Sequence, residues 1–251
     1  MPAKPKAKMT LAQAMSALEK AGSAQTRKTY ARHGATGPMF GVSFATLKTM
    51  LKRIGVDQEL ALALWDTGNF DARNLAVKIA DPARMSSLDL DRWAKAPMPA
   101  ACGSYVGHLA AEGPHARKKS EAWPAAKDEP TRSVGWTLVG TMAMRDEELP
   151  DAWFAKRLAE IEESIQTSPN EQRKAMLNAL IAIGCRGAAL RKAVTAAAKR
   201  IGKIEIDHGD TDCKTVEPAP RLEKTWASAT SKGFASPAVQ ERARESVRTR
   251  C

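Results

Sequence analysis

Hydrophobic residues recur along this chain at three- and four-residue intervals, and the two-residue alternation of strands is nearly absent. Leu11, Met15 and Leu18 form one stripe that ends at Gly22. Ser43 is placed to cap a helix carrying Phe44, Leu47, Met50, Leu51 and Ile54, which Gly55 stops. Asp57 opens the next helix, whose Leu60, Leu64 and Trp65 share a face, and Gly68 suits a left-handed stop. Asn69 can cap the helix after it, which carries Leu75, Ala76 and Ile79 and begins with Asp71 and Arg73. Asp81-Pro82 breaks the chain, Leu88 to Ala94 reads as a short helix, and Pro97 and Pro99 break it again before a helix from Ala100 to Ala111. Downstream, Thr131 is the expected cap of a helix with Val134, Leu138, Val139 and Met142, and Asp151 of one with Phe154, Leu158, Ile161 and Ile165. Ser168-Pro169-Asn170-Glu171 reads as a capping box with proline at the first helical position. Its helix carries Met176, Leu177, Leu180 and Ile181 and ends at Gly184; Leu190, Val194, Ala197 and Ile201 follow, stopped by Gly202.

Helices of about 10–15 residues joined by short turns make αα-hairpins, and about six pairs fit the length if each repeat takes roughly 40 residues. The expected fold is therefore all-α, a solenoid of stacked hairpins, with a plain helical bundle as the alternative. The stretch Lys203 to Thr215 alternates briefly and then turns, so a short irregular segment is expected near 203–220, ahead of a last helix around Leu222 and Trp226. Three parts follow: a flexible basic arm at 1–10 with Lys4, Lys6 and Lys8, a repeat domain at 11–235, and a basic C-terminal tail at 236–251. That tail carries Arg242, Arg244, Arg248 and Arg250 and reads as a short surface helix or a frayed end.

Composition narrows the function classes. Of 251 residues 43% are hydrophobic, enough for a real core, while 39 Lys and Arg against 28 Asp and Glu give a formal +11. That surplus points to a polyanionic partner, most simply DNA, duplex or branched. No apolar run spans a bilayer, no apolar stretch follows the N-terminal lysines as in a secretory signal, and the four scattered cysteines form no C-x-x-C. A cytoplasmic monomer is expected. Asp207, His208, Asp210, Asp212 and Cys213 crowd together, but their spacing matches no zinc or calcium loop, so a structural turn is expected and no metal. No P-loop, dinucleotide glycine fingerprint, HExxH or Ser-His-Asp order appears, and no cofactor is implied.

Three groups of residues carry a family resemblance. They are Tyr30 with Phe40-Gly41-Val42, the hairpin from Trp65 to Ala76, and Gly202 to Cys213-Lys214-Thr215. In these the chain resembles the HEAT-like DNA alkylation repair proteins, the AlkD-like alkylpurine DNA glycosylases, over residues 25 to 226. The resemblance implies a HEAT-like α-solenoid holding duplex DNA on its concave face. It also implies a cleft Asp and two Trp, the carboxylate stabilising an oxocarbenium-like sugar while the indoles contact the deoxyribose. The family's W-x-x-x-D element falls on Pro99 to Val106 here, which holds neither Trp nor Asp, and the helix after Ser168 has no aromatic residue near Asn178. Ala101 and Tyr105 stand in the Trp and Asp positions. The leading expectation is therefore a DNA-binding protein without family-type excision. A glycosylase with a displaced carboxylate, sought first at Asp91, Glu112 and Asp128, and a protein-interaction scaffold are the alternatives.

Arg73, Arg132, Arg173 and Lys174 lie near helix starts, where basic residues along one edge of a solenoid would track phosphates. Solvated surface charge and intra-repeat ion pairing are the competing readings. Most of the six tryptophans suit a core, with Trp123 and Trp136 as the candidate cleft residues. The expected DNA-binding set is thus Arg73, Arg132, Arg173, Lys174, Trp123, Trp136 and Tyr105.

Overall fold

In the computed structural model, residues 8–96 and 100–250 are described, without the side chains of residues 100–102. Most of the expected basic arm, the Pro97 and Pro99 break, the Ala101 and Cys102 side chains and Cys251 lie outside the described residues. Fourteen helices are described, and no strand: α1 (Leu11–Ala21), α2 (Ala24–Arg32), α3 (Phe44–Ile54), α4 (Gln58–Asp66), α5 (Phe70–Ile79), α6 (Ser87–Lys95), α7 (Ala100–Ala111), α8 (Ala116–Ala122), α9 (Glu129–Arg145), α10 (Asp151–Ser164), α11 (Asn170–Gly184), α12 (Ala188–Ile201), α13 (Pro218–Thr230) and α14 (Pro237–Arg242). The odd-numbered helices stack in one row, α3 on α5, then α7, α9, α11 and α13. Each even-numbered helix from α4 to α12 packs on the odd helix that follows it. Two layers of paired helices in sequence order are the α-solenoid expected from the periodicity.

Close stacking rests on small residues. A methyl built on Gly140 of α9 would lie 3.1 Å from the Ala179 backbone of α11, and one on Gly107 of α7 would lie 3.0 Å from Thr137 of α9. Trp65 of α4 and Trp93 of α6, both buried, stack at 4.2 Å with planes 7° apart. Ser43, Asp57 and Asn69 cap the helices they were expected to cap. Gly68 takes φ +70°, a conformation in which any side chain is strained.

Several expectations need correction. Asp128, not Thr131, caps α9; its Oδ1 accepts the Thr131 N–H at 3.0 Å. Asp151 is the first residue of α10 rather than its cap, and its carboxylate takes the Arg186 guanidinium at 3.0 Å. The capping box at Ser168 does not form: α11 starts at Asn170, and the Ser168 hydroxyl turns back to the Ser164 carbonyl that ends α10, at 2.9 Å. Helices α2 and α8 were not anticipated, because neither has an apolar stripe. No residue of α2 is buried, and the buried residues of α8 are Lys119 and Ser120. The tail is not frayed: it holds the short helix α14, which packs on α9 and α13, and Arg248 beyond it is buried.

Candidate nucleic-acid interface

Two of the family-like segments meet in space. The Asp71 carboxylate, at the start of α5, accepts the backbone N–H groups of Phe40 (2.6 Å), Gly41 (3.0 Å) and Val42 (2.8 Å). The Tyr30 hydroxyl donates to the Val42 carbonyl at 2.6 Å. Burial, then the Asp71 charge and the nearby Tyr105, push the Tyr30 phenol up to about 12, so it remains a donor. Gly41 sits at φ +80° where a methyl would come 2.5 Å from the Ser23 carbonyl, so a loop this tight admits no side chain. The third segment is tied to α11. Asn170 exchanges two bonds with the Asp207 backbone, both at 2.8 Å, and Asp207 Oδ1 accepts the Gly209 N–H. These bonds make the segment a structural turn.

One face of the odd helices, read at three- and four-residue spacing, is mostly polar. On α5 it carries Asp71, Asn74 and Lys78, and on α7 Tyr105, His108 and Glu112. On α9 it carries Thr137, Thr141 and Arg145, and on α11 Lys174, Asn178 and Ile181. Tyr105, Thr137 and Lys174 are half-buried and Asn178 is exposed, whereas the α5 stripe is covered. At the centre lies Tyr105, with the Lys78 ammonium 3.9 Å from its ring centroid and Phe44 of α3 at 6.5 Å. Thr141 Oγ1 and His108 Nδ1 are 2.7 Å apart. Burial, then Arg250, Lys78 and Arg145, lower the His108 pKa to about 4, so the imidazole is neutral at pH 7.

The residues expected to bind DNA divide. Arg73, Arg132 and Arg173 each occupy the fourth position of their helix and fold back onto carbonyls of the preceding turn. Arg73 Nε reaches the Trp65 carbonyl at 3.3 Å, and Arg132 Nη1 reaches Ala126 and Lys127. Arg173 holds Gln166 and Ser168 with one nitrogen and Glu205 with the other. They clamp each odd helix to the turn before it, Arg132 Nε also reaching Gln172 of α11 at 2.7 Å, with their charge left at the N-terminal edge of the odd helices. Trp123 and Trp136, each 3% exposed, are core residues; Trp123 Nε1 donates to Asp91 at 2.8 Å. Tyr105 and Lys174 stay on the polar face. Sequence reasoning missed Lys48 and Lys52, one and two turns beyond Phe44 on the same side of α3. Their signal was the i, i+4, i+8 spacing from Phe44, which matters once Phe44 is known to meet Tyr105.

None of the three displaced-acid candidates is unengaged. Asp91 takes Lys119 at 2.6 Å and Trp123, Glu112 takes Arg248 at 2.9 Å, and Asp128 caps α9. Burial raises the Asp91 pKa, but hydrogen bonds from Lys119 and Trp123 and the charges of Lys119 and Lys118 together outweigh it and lower the pKa.

Comparison with known proteins agrees with this geometry. The family model described as "DNA alkylation repair enzyme" matches residues 14–208. Uncharacterized proteins of Listeria monocytogenes and Listeria innocua are 24% and 23% identical over 205 residues, covering 79% of this chain and 89% of each relative. A solved structure with TM-score 0.79 and 28% identity covers 90% of this chain and 96% of its own. It is described as a new family of proteins related to the HEAT-like repeat DNA glycosylases with affinity for branched DNA structures. No described helix is long and apolar enough to cross a membrane. With its paired-helix layers, its Asp71-anchored loop and a match over most of its length, this chain belongs to the DNA alkylation repair enzyme family.

Proposed function

We propose that this chain binds DNA, duplex or branched, as a monomer along the polar face of its odd helices, and that it does so without excising bases. One observation carries the second half of the reading: the Lys78 ammonium lies 3.9 Å over the ring of Tyr105, the residue in the register of the family's carboxylate. Excision of an alkylated purine develops positive charge on the sugar, and an anion beside it stabilises that charge. A phenol under an ammonium opposes it. The three neighbouring carboxylates are engaged by cations or by a helix terminus. Binding needs less. Lys48, Lys52 and Lys174 lie on the polar face with no ion pair among the described residues, and the clamp arginines add positive potential along its edge. The affinity for branched DNA described for the structural neighbour supports the same partner.

Binding and excision can be read on one oligonucleotide containing 7-methylguanine, with protein in excess. The expected result is a complex in which the methylated base leaves no faster than it does spontaneously. Single-turnover release far above that background would overturn the reading. Absence of a complex at low salt would point to a protein partner instead.

A further inference from the structure

Residues 236–250 cross the ends of the odd helices in reverse order. The Ala238 N–H donates to the carbonyl of Cys185, just past α11, at 3.2 Å. Arg145, which ends α9, donates to the Glu241 carbonyl at 3.2 Å and meets its carboxylate at 3.4 Å. The Ser246 hydroxyl bonds Glu112, just past α7, and Arg248 Nε reaches the same carboxylate at 2.9 Å. Arg248 Nη1 then donates to the carbonyls of Val77 and Lys78 at 3.0 and 2.7 Å, and Lys78 Nζ returns a bond to the Arg248 carbonyl at 2.8 Å. One segment thus ties four repeats together at the C-terminal ends of their odd helices.

The ties are polar. A guanidinium over the last carbonyls of a helix is well placed for the dipole, but apolar burial beyond Ala238 is slight, with Val239 36% exposed. Where the segment crosses, Arg145 meets its Glu241, its Arg248 meets Glu112, its Arg250 also meets Glu241, and Lys78 donates to the Arg248 carbonyl. The charge that answers Arg145 comes from the segment itself. A polyanion could satisfy the same groups.

We propose that residues 236–250 form a displaceable strap, in which Glu241 holds the place of a backbone phosphate at Arg145, so that the strap and a DNA strand compete for the same end of the polar face. The inference rests on the DNA reading above and adds a regulated site to it. A docked strap lowers the apparent affinity by the fraction of molecules in which it is closed, and loosening it restores that fraction.

The test uses the full chain with a fluorescein-labelled three-way DNA junction at fixed salt. Glu241→Gln frees Arg145, and Arg248→Ala unfastens the far end. Both should bind at least about fivefold more tightly than the parent, within the usual range of coupling between sites. Tighter binding by Arg248→Ala runs against the loss of a positive charge, so bulk electrostatics cannot produce it. Glu245→Gln, an exposed residue of the same segment, should change affinity by less than about twofold. Saturating junction should speed trypsin cleavage at Arg244 and Arg248 of the parent. Protection of those bonds by DNA, or weaker binding by Glu241→Gln, would overturn the strap while leaving the DNA reading intact. Failure of every form to bind the junction would overturn the DNA reading and the strap with it.

Discussion

Asp71 accepts three N–H groups from outside its own helix, and that one fully buried carboxylate fixes the loop at residues 40–42 against α5. Asp71→Ala leaves those three donors without an acceptor in a site closed to water. It should cost about 3–5 kcal/mol in denaturant unfolding; a loss under about 1 kcal/mol would mean that the loop is held by something else. His108 gives a pH signature. Its pKa falls from 6.5 to about 4 through burial and the charges of Arg250 from the strap, Lys78 from α5 and Arg145 from α9. The unfolded chain therefore takes up this proton below about pH 6.5, and the fold does not until about pH 4. Stability is complete above the first value and falls between the two, by roughly 2–3 kcal/mol. His108→Gln should flatten that part of the stability profile, and an unchanged profile would contradict the assignment. At this scale the sequence showed Asp71 and Tyr105 as residues of interest. It could not show what they touch, since Phe40 and Lys78 reach them only through the packing of separate elements.

The helices themselves were largely legible, because an apolar stripe with a capping residue and a glycine stop is a local signal. Asn69, Gly68 and Gly202 act where the pattern placed them. Local signals failed where a competing partner lay nearby in space, as at Ser168, whose hydroxyl serves the end of α10 instead of the start of α11. The arginines at the fourth helical position show the same limit. Their spacing was visible in the sequence, but the direction of each guanidinium depends on the carbonyls left open by the turn before it. Arg173→Ala should therefore loosen the irregular segment. It removes the donor to Glu205 and those to Gln166 and Ser168, a loss of about 2–3 kcal/mol. Hydrogen exchange should quicken across residues 203–208, and unchanged exchange there would show that Asn170 alone holds the segment.

The whole molecule combines a solenoid, a polar face lined by odd helices, and a segment drawn back across the C-terminal ends of those helices. The solenoid followed from periodicity and small residues. The strap did not, because residues 236–250 have few apolar side chains and their order of contact with α11, α9, α7 and α5 exists only in the folded chain. Lys48 and Lys52 were equally silent, reading as ordinary solvent lysines until Phe44 was seen against Tyr105. The central claim, that this face holds a DNA backbone, is tested most directly by the salt dependence of binding. Log affinity for duplex or junction should fall linearly and steeply with log salt, by about 0.9 for each phosphate neutralised on duplex DNA. Lys48→Ala and Lys52→Ala should each reduce the slope by about 1, while Lys199→Ala, exposed on α12 in the other layer, should leave it unchanged. A flat response, or slopes unaffected by Lys48 and Lys52, would contradict the account.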